Sequence, residues 1–131
     1  MVARHADVWN VNWPAIPARV EASAAALARA CEAEGRPPDA IARRLWLFTR
    51  AEPLGASAAL AEFRRWNPWF RAIPDAELAP ALAVGKPAEC RERIRALAAE
   101  LQLEMPVIDL SGLDEERARH TLESIPAGDL R

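Results

Sequence analysis

The sequence predicts an α/β fold in which parallel strands alternate with helices. Three short segments rich in β-branched and large apolar residues are separated by segments with the apolar period of amphipathic helices. Strands that alternate with helices are joined by crossovers, and such crossovers make the strands parallel. A chain of 131 residues, 51% apolar and 27% charged, has the size and composition of one folded domain. We therefore expect a single domain over residues 1–131.

The three predicted strands lie near residues 6–13, 42–50 and 105–110. The first, ADVWNVNW, contains Val8 and Val11 and is ended by a proline. The second contains the continuous apolar run LWLF, which is typical of a strand covered on both faces, and the third is the short run MPVIDL. Because a three-stranded parallel sheet leaves both of its edges unpaired, we expect it to belong to something larger.

Two strong helices separate the predicted strands, and a third follows the last strand. The first ends at Gly35, a typical C-terminal cap, and the second begins at Pro87, a typical first-turn residue. In the third, Ser111 and Asp114 fit a capping box, or Asp114 is itself the cap. The inward-facing residues predicted for these helices, in chain order, are Val20, Ala24, Leu27, Ala28, Cys31, Cys90, Ile94, Leu97, Ala98, Leu101, Ala118, Leu122 and Ile125.

The segment near residues 54–83 is expected to be an irregular helical insertion between two regular units. Its prolines allow a helix over residues 57–66 and a shorter one near residues 75–82. The insertion contains RRWNPWFR, and single-stranded nucleic acid sites also mix arginine with tryptophan. Since the net charge is −2 and the charges are interspersed, an apolar insertion flanked by arginines is favoured, and no nucleic acid partner is expected.

Cys31 and Cys90 are expected to be buried free thiols, since each lies on the apolar side of a predicted helix. A disulfide would require an oxidising compartment, and no secretory signal is visible. No apolar run approaches the roughly 20 residues that span a bilayer, so no membrane partner is expected, and the expected location is the cytoplasm. His5 and His120 lie far apart without further ligands at metal-binding spacing, so no metal is expected.

Several segments, in the same order along the chain, resemble the later half of luciferase-like monooxygenases. ARHADVWN is similar to the family's A-R-x-A-D-x-W-N segment, and the helix that follows shares the ending A-C-E-x-x-G-R-x-P-x-x-I. RRLWLFTR resembles the next strand, and VGKPAECRERIRALAAELQLEMPVIDL resembles the last helix and strand. The resemblance implies a partial (β/α)8 TIM barrel, roughly its last three strand–helix units. It also implies that ARHAD ends a preceding helix and that the first strand pairs with a strand outside this sequence.

The resemblance implies an oxidoreductase that uses FMN or F420 and acts on a small-molecule substrate, either with O2 or by hydride transfer. The cofactor carries that chemistry, and no residue of the chain is assigned as a catalytic acid or base. The alternative is a non-catalytic fragment or interaction module that needs a partner to complete its sheet. That partner would be a second copy, in a homo-oligomer, or the missing N-terminal half.

Active-site groups of such barrels lie at the carboxyl ends of the strands and in the loops that follow them. After the first strand, this rule selects Trp9, Asn10, Asn12 and Trp13. Tryptophan supplies a flat apolar wall and asparagine both donates and accepts hydrogen bonds, so these residues could line a pocket for the cofactor or substrate. Alternatively, the tryptophans pack in the core and the asparagines satisfy loop backbone.

The same rule selects residues after the second and third strands. Arg50 could clamp a phosphate or carboxylate, or it could be a surface residue paired with Glu52 or another carboxylate. Ser111 and Gly112 precede a helix, where free backbone N–H groups favour an anion, or the segment is a simple helix cap.

Overall fold

The computed structural model describes residues 1–126 and residue 128, and strands alternate with helices along this part of the chain. The elements, in chain order, are α1 (Val2–His5), β1 (Val8–Val11), α2 (Pro17–Ala33), β2 (Ala42–Arg50), α3 (Ala56–Trp66), α4 (Asp75–Leu78), β3 (Ala83–Val84), α5 (Pro87–Glu100), β4 (Met105–Asp109) and α6 (Glu115–Ser124). Short 3₁₀ helices cover Pro38–Ala40, Pro68–Phe70 and Ala79–Ala81.

The strands form one open, parallel sheet with β2 at its centre. Leu45 of β2 lies opposite both Val11 of β1 and Pro106 of β4, so β1 and β4 flank β2 on its two sides. The two-residue strand β3 pairs with Thr49 and Arg50 at the end of β2. The predicted parallel strands are therefore confirmed. The first is shorter than predicted at both ends, the third is shorter by one residue, and β3 was not predicted.

One face of the sheet, the helix face, is covered by α2 and α5. Side chains alternate between faces along a strand, which places Val11 and Leu45 on this side, and each is 1% exposed. Arg43, on the same face, contacts both helices. Its Nη1 donates to Oε1 of Glu21 in α2 at 3.3 Å and to the carbonyl oxygen of Leu101, just after α5, at 2.7 Å. Both crossover helices therefore pack against the same side of the sheet.

In the described part of the chain, the opposite face, the open face, is covered only near the carboxyl end of the strands. There Phe48 packs edge-on against Phe63 of α3 with ring centroids 5.4 Å apart, and Trp46 stacks on the same ring at 6.2 Å. Nearer the amino end, Val107 is 41% exposed and Met105 is 49% exposed. The insertion thus shields one end of the open face and leaves the other end in solvent.

The insertion contains the two helices expected from the sequence, with different bounds. The first is α3, which begins one residue earlier than predicted. The second ends at Leu78 and continues as a 3₁₀ turn over Ala79–Ala81. Pro80 has no N–H to donate to a carbonyl oxygen one turn earlier, so the α-helix gives way to a 3₁₀ turn there.

The apolar stripes of α2 and α5 face the core as predicted, whereas the stripe of α6 is rotated from its predicted position. Leu122 was expected inside and is 53% exposed, while Thr121 is buried. Successive helical residues are separated by about 100°, so a stripe that runs through Thr121 and towards Ile125 leaves Leu122 at its edge. The cap of α6 is Asp114 alone, whose carboxylate accepts the N–H of Arg117 at 2.9 Å.

Candidate functional site

The structure divides the tryptophans and asparagines after the first strand between the two faces of the sheet. Trp9 lies on the helix face, where it packs near the buried pair Cys31 and Ile41, and the Arg43 guanidinium lies 5.8 Å from its ring centroid. Asn10, the next residue, projects to the open face because alternation along β1 reverses the direction of each side chain. Trp9 is therefore a packing residue and is not brought together with the asparagines.

A cleft of about 460 Å³ lies on the open face and contains the two predicted asparagines. It is lined by Asn10, Asn12, Arg44, Trp46 and Val107, and it is bordered by Val11, which lies between the two asparagines and is itself 1% exposed. Both asparagines are exposed, and neither side-chain amide makes a hydrogen bond with the described residues. The asparagines therefore do not satisfy loop backbone, and both amides are available to a ligand.

The indole of Trp46 forms a fixed flat wall for this cleft. It is held from behind by Phe63 and by Phe70, whose ring centroid lies 6.2 Å away. Trp13, the fourth predicted residue, packs on Phe70 at 5.9 Å and is partly covered by the guanidinium of Arg19. Trp13 thus supports the aromatic cluster behind the wall without lining the cleft itself.

Arg44 provides the charge of the cleft and was not selected from the sequence. Within the described residues its guanidinium makes no ion pair and no hydrogen bond, although it is partly buried. No carboxylate is among the lining residues. A signal was present in the sequence, because Arg43 and Arg44 are adjacent on a strand and alternation must send one of them to each face.

Arg50, the candidate after the second strand, is completely buried and holds internal partners. Its Nε donates to Oε1 of Glu62 at 2.6 Å. Its two terminal nitrogens donate to the carbonyl oxygens of Thr49 at 2.7 Å, Ser111 at 2.6 Å and Asp109 at 3.2 Å. The expectation that Arg50 pairs with a carboxylate of the chain is met by Glu62. The expectation that this pair lies at the surface is wrong, because Arg50 is completely buried.

The expected partner of Arg50, Glu52, is instead paired with Arg117. Arg117 donates to both carboxylate oxygens of Glu52 and also reaches Oε2 of Glu62 at 3.4 Å. The hydrogen bonds that Arg117 donates to the Glu52 carboxylate are the main cause of a pKa for Arg117 raised above its ordinary value. Two arginines and two glutamates therefore form one connected, neutral network at the carboxyl end of the sheet.

Ser111 and Gly112, the third candidate group, lie beside this network. The geometry of the backbone accounts for both residues without a bound ligand. The N–H of Ser111 donates to Oδ1 of Asp109 at 2.9 Å, so it is already satisfied. Gly112 has φ +85°, and a Cβ added there would overlap the indole nitrogen of Trp66. A cleft of about 450 Å³ between Trp66 and Arg117 borders this turn.

Cys90 lies beneath the same end of the sheet. Its Sγ donates to the carbonyl oxygen of Arg50 at 3.2 Å, and the thiol is fully buried. Burial, with a smaller contribution from Glu89, raises the pKa of Cys90 to about 11. The thiol is therefore protonated near neutral pH, which excludes a role as an activated nucleophile.

Comparisons with known proteins add no family to this description. Neither a protein-family model nor a curated protein matches the chain. Among the residues that the structure describes, no three or more His, Cys, Asp or Glu side chains are grouped to hold a metal ion. Within the same residues, every helix is too short or too polar to cross a membrane. The assignment that these observations support is an α/β fold with an open parallel sheet and a ligand-sized cleft on its uncovered face.

Proposed function

We propose that the chain forms the last three strand–helix units of a (β/α)8 barrel in a flavin- or F420-dependent oxidoreductase of the luciferase-like type. The observation that carries this proposal is the arrangement of crossovers. The strand order β1, β2, β4 follows the chain, and both α2 and α5 lie on the helix face. In a doubly wound sheet the order reverses and crossover helices cover both faces, whereas the crossover helices of a barrel lie only on its outside. The helix α3, which covers one end of the open face, belongs to the insertion.

In such a barrel the open face is the inner surface. Its exposed apolar side chains, Met105 and Val107, would then meet the strands that complete the barrel. The four-residue helix α1 immediately precedes β1, which is where the resemblance expects the end of a preceding unit. This arrangement accounts for an uncovered sheet face that would otherwise expose apolar surface to water.

The lining of the open-face cleft fits a flavin or F420 ring. The Trp46 indole offers a flat wall, and the amides of Asn10 and Asn12 are able to donate to and accept from ring heteroatoms. A volume of about 460 Å³ lies within the range typical of small-molecule pockets. When bound, the cofactor supplies the redox chemistry, while these residues orient a ring and exclude water from one side of it. Two buried, free cysteines fit the cytoplasmic location that we propose for the protein.

Cofactor retention tests this proposal. Purified protein is mixed with FMN or with F420, passed through a desalting column, and examined by absorbance and fluorescence. We expect retention of one of the two at micromolar concentration and weaker retention by Asn10→Ala/Asn12→Ala, with Asn67→Ala, a buried asparagine outside the cleft, as control. In-frame DNA upstream that encodes five further strand–helix units would support the barrel independently. A protein that retains neither cofactor, from a gene without such units, would contradict it.

A second function, an interaction module, is supported by the edges of the sheet. In the part of the chain that the structure describes, β1 and β4 each pair only with β2, so the outer edge of each strand is available. Both strands run in the same direction, and a partner strand on either edge would extend the sheet. Size-exclusion chromatography with light scattering distinguishes a monomer of 14.4 kDa from a dimer, which this second function predicts.

A further inference from the structure

The unpaired guanidinium of Arg44 is the starting point for a ligand assignment. Arginine side chains that are partly buried are usually paired with a carboxylate or hydrogen-bonded to carbonyl oxygens. Arg36, Arg43, Arg50, Arg64 and Arg117 all have such partners. Arg44 has none among the described residues, and it lines the open-face cleft. The cleft therefore contains one uncompensated positive charge.

Among the described strand residues on the open face, the one carboxylate is that of Asp109, which lies too far along the sheet to neutralise that charge. Asp109 pairs in register with Phe48, which is four residues beyond Arg44 along β2. At roughly 3.3 Å per residue, this separation is about 13 Å along the strand, which exceeds a Debye length at physiological salt. The carboxylate of Asp109 also accepts the N–H of Ser111. A ligand carboxylate in the cleft would therefore meet no competing acid.

The other lining groups indicate the shape of the ligand. Trp46 stacks on Phe63, contacts the tilted ring of Phe70 and offers a flat surface. Val107 of the adjacent strand extends that surface. Asn10 lies directly opposite Arg44 in the pairing of β1 with β2, so an amide and a guanidinium are side by side. A flat apolar wall next to two adjacent polar donors matches a conjugated ring that carries one acidic group.

We propose that the open-face cleft binds a small aromatic carboxylate, with its carboxylate on Arg44 and Asn10 and its ring against Trp46. A carboxylate is chosen over a phosphate because a single guanidinium neutralises one negative charge, and a phosphate monoester carries nearly two at neutral pH. Trp46 and Asn10 are also the side chains that the proposed function gives to the cofactor ring, so in the proposed oxidoreductase this ligand would compete with the cofactor, and that role rests on the proposed function. The binding itself does not, and its test contains no flavin or F420.

The test compares two probes of the same shape, one anionic and one neutral. Isotope-labelled protein is titrated with 2-naphthoate and with its neutral isostere 2-naphthamide, and amide and indole resonances are followed by NMR. We expect 2-naphthoate to shift the side-chain signals of Asn10, Asn12 and Trp46 in a saturable manner. Loss of a charge-assisted hydrogen bond should weaken binding of 2-naphthamide roughly tenfold. A third probe, 2-naphthyl phosphate, should bind no more tightly than 2-naphthoate.

Variants then assign the charge preference to Arg44. Arg44→Gln should remove the difference between 2-naphthoate and 2-naphthamide. Arg29→Gln, which changes an exposed arginine of α2 across the sheet from the cleft, should keep it. Both variants are checked by circular dichroism for an unchanged melting temperature, and the comparison of probes on the unaltered protein remains decisive if a variant fails to fold.

Several results would overturn the proposal. These are equal affinity for the naphthoate and the naphthamide, no saturable shift at probe concentrations up to roughly 1 mM, where binding is worth only about 4 kcal/mol, or shifts centred away from Trp46. A tenfold preference for the naphthyl phosphate would replace the carboxylate by a phosphate ligand. Sedimentation showing a dimer whose interface covers Trp46 would assign the open face to a second copy. Failure of the flavin test with success here would leave the binding site and remove only the cofactor that the proposed function places in it.

Discussion

The guanidinium of Arg50 and the carboxylate of Glu62 form a largely buried ion pair, with Nε and Oε1 2.6 Å apart. Arg50 is completely buried and its other partners are backbone carbonyl oxygens, which accept hydrogen bonds without neutralising its charge. Glu62 is therefore the main source of charge compensation at the carboxyl end of β2, and the first prediction concerns its loss.

Glu62→Gln should lower the free energy of unfolding by about 2–4 kcal/mol, because it leaves a buried charge without its counter-ion. Glu77→Gln provides the matched control, since Glu77 forms an exposed pair with Arg19, and its loss should cost less than about 1 kcal/mol. Urea unfolding followed by circular dichroism measures both. Equal effects of the two substitutions would mean that Arg50 is compensated in another way.

Gly112→Ala should destabilise the protein by at least about 2 kcal/mol, because the new Cβ overlaps the indole of Trp66 and an alanine at this positive φ is strained. Gly55→Ala is the control, since φ is negative there and a Cβ would meet open space. In the double variant Gly112→Ala/Trp66→Ala the overlap is removed, so the two losses should not add. Additive losses in thermal unfolding would exclude this contact as the cause.

Cys90 should make the stability depend on pH in the alkaline range. Its pKa is 9.0 in a model thiol and about 11 in the folded protein, so folding opposes ionisation of the thiol. The contribution is complete below pH 9 and is lost as pH rises towards 11, with a total of up to about 2 kcal/mol. Chemical denaturation at several pH values should show this decline in the wild-type protein. Cys90→Ser, which keeps a donor for the Arg50 carbonyl, should show a smaller decline, and equal slopes would contradict the assignment.

The same substitution placed on each face of the sheet tests which face is covered. Val11→Thr buries a hydroxyl beneath α2 and should cost about 1–3 kcal/mol. Val107→Thr lies on the open face and should change the free energy of unfolding by less than about 0.5 kcal/mol. Denaturant midpoints of the two variants give the comparison. A large loss for Val107→Thr would mean that something covers the open face in solution.

The sequence was sufficient to predict the alternation of strands and helices because both signals are local. Period-2 and period-3.6 patterns, together with Gly35 and Pro87, locate β1, α2, β2 and α5 with errors of a few residues at most. The buried face of α6 was predicted wrongly because the helix has few apolar residues. The apolar Leu122 therefore determined the predicted face, and the polar Thr121 did not. The tertiary packing that buries Thr121 cannot be derived from the pattern of one helix.

The candidate site was predicted in part. Residues were grouped by their nearness in sequence, and alternation along β1 then separated Trp9 from Asn10. Arg44 was missed because its partners in the cleft come from other strands, and their register depends on the assembled sheet. Arg50 was selected as a candidate clamp for a phosphate or carboxylate, but the carboxylate that binds it lies twelve positions away on a helix whose orientation no local pattern gives.

The hydrogen bonds of Arg50 also join parts of the chain that are distant in sequence. Its terminal nitrogens reach the carbonyl oxygens of Asp109 and Ser111, 59 and 61 positions later. Until β4 has docked, the end of β2 contains a cation without these acceptors. A chain ending before β4 should therefore fail to hold β2 in place, and the strand–helix units described here should melt together in a single cooperative transition.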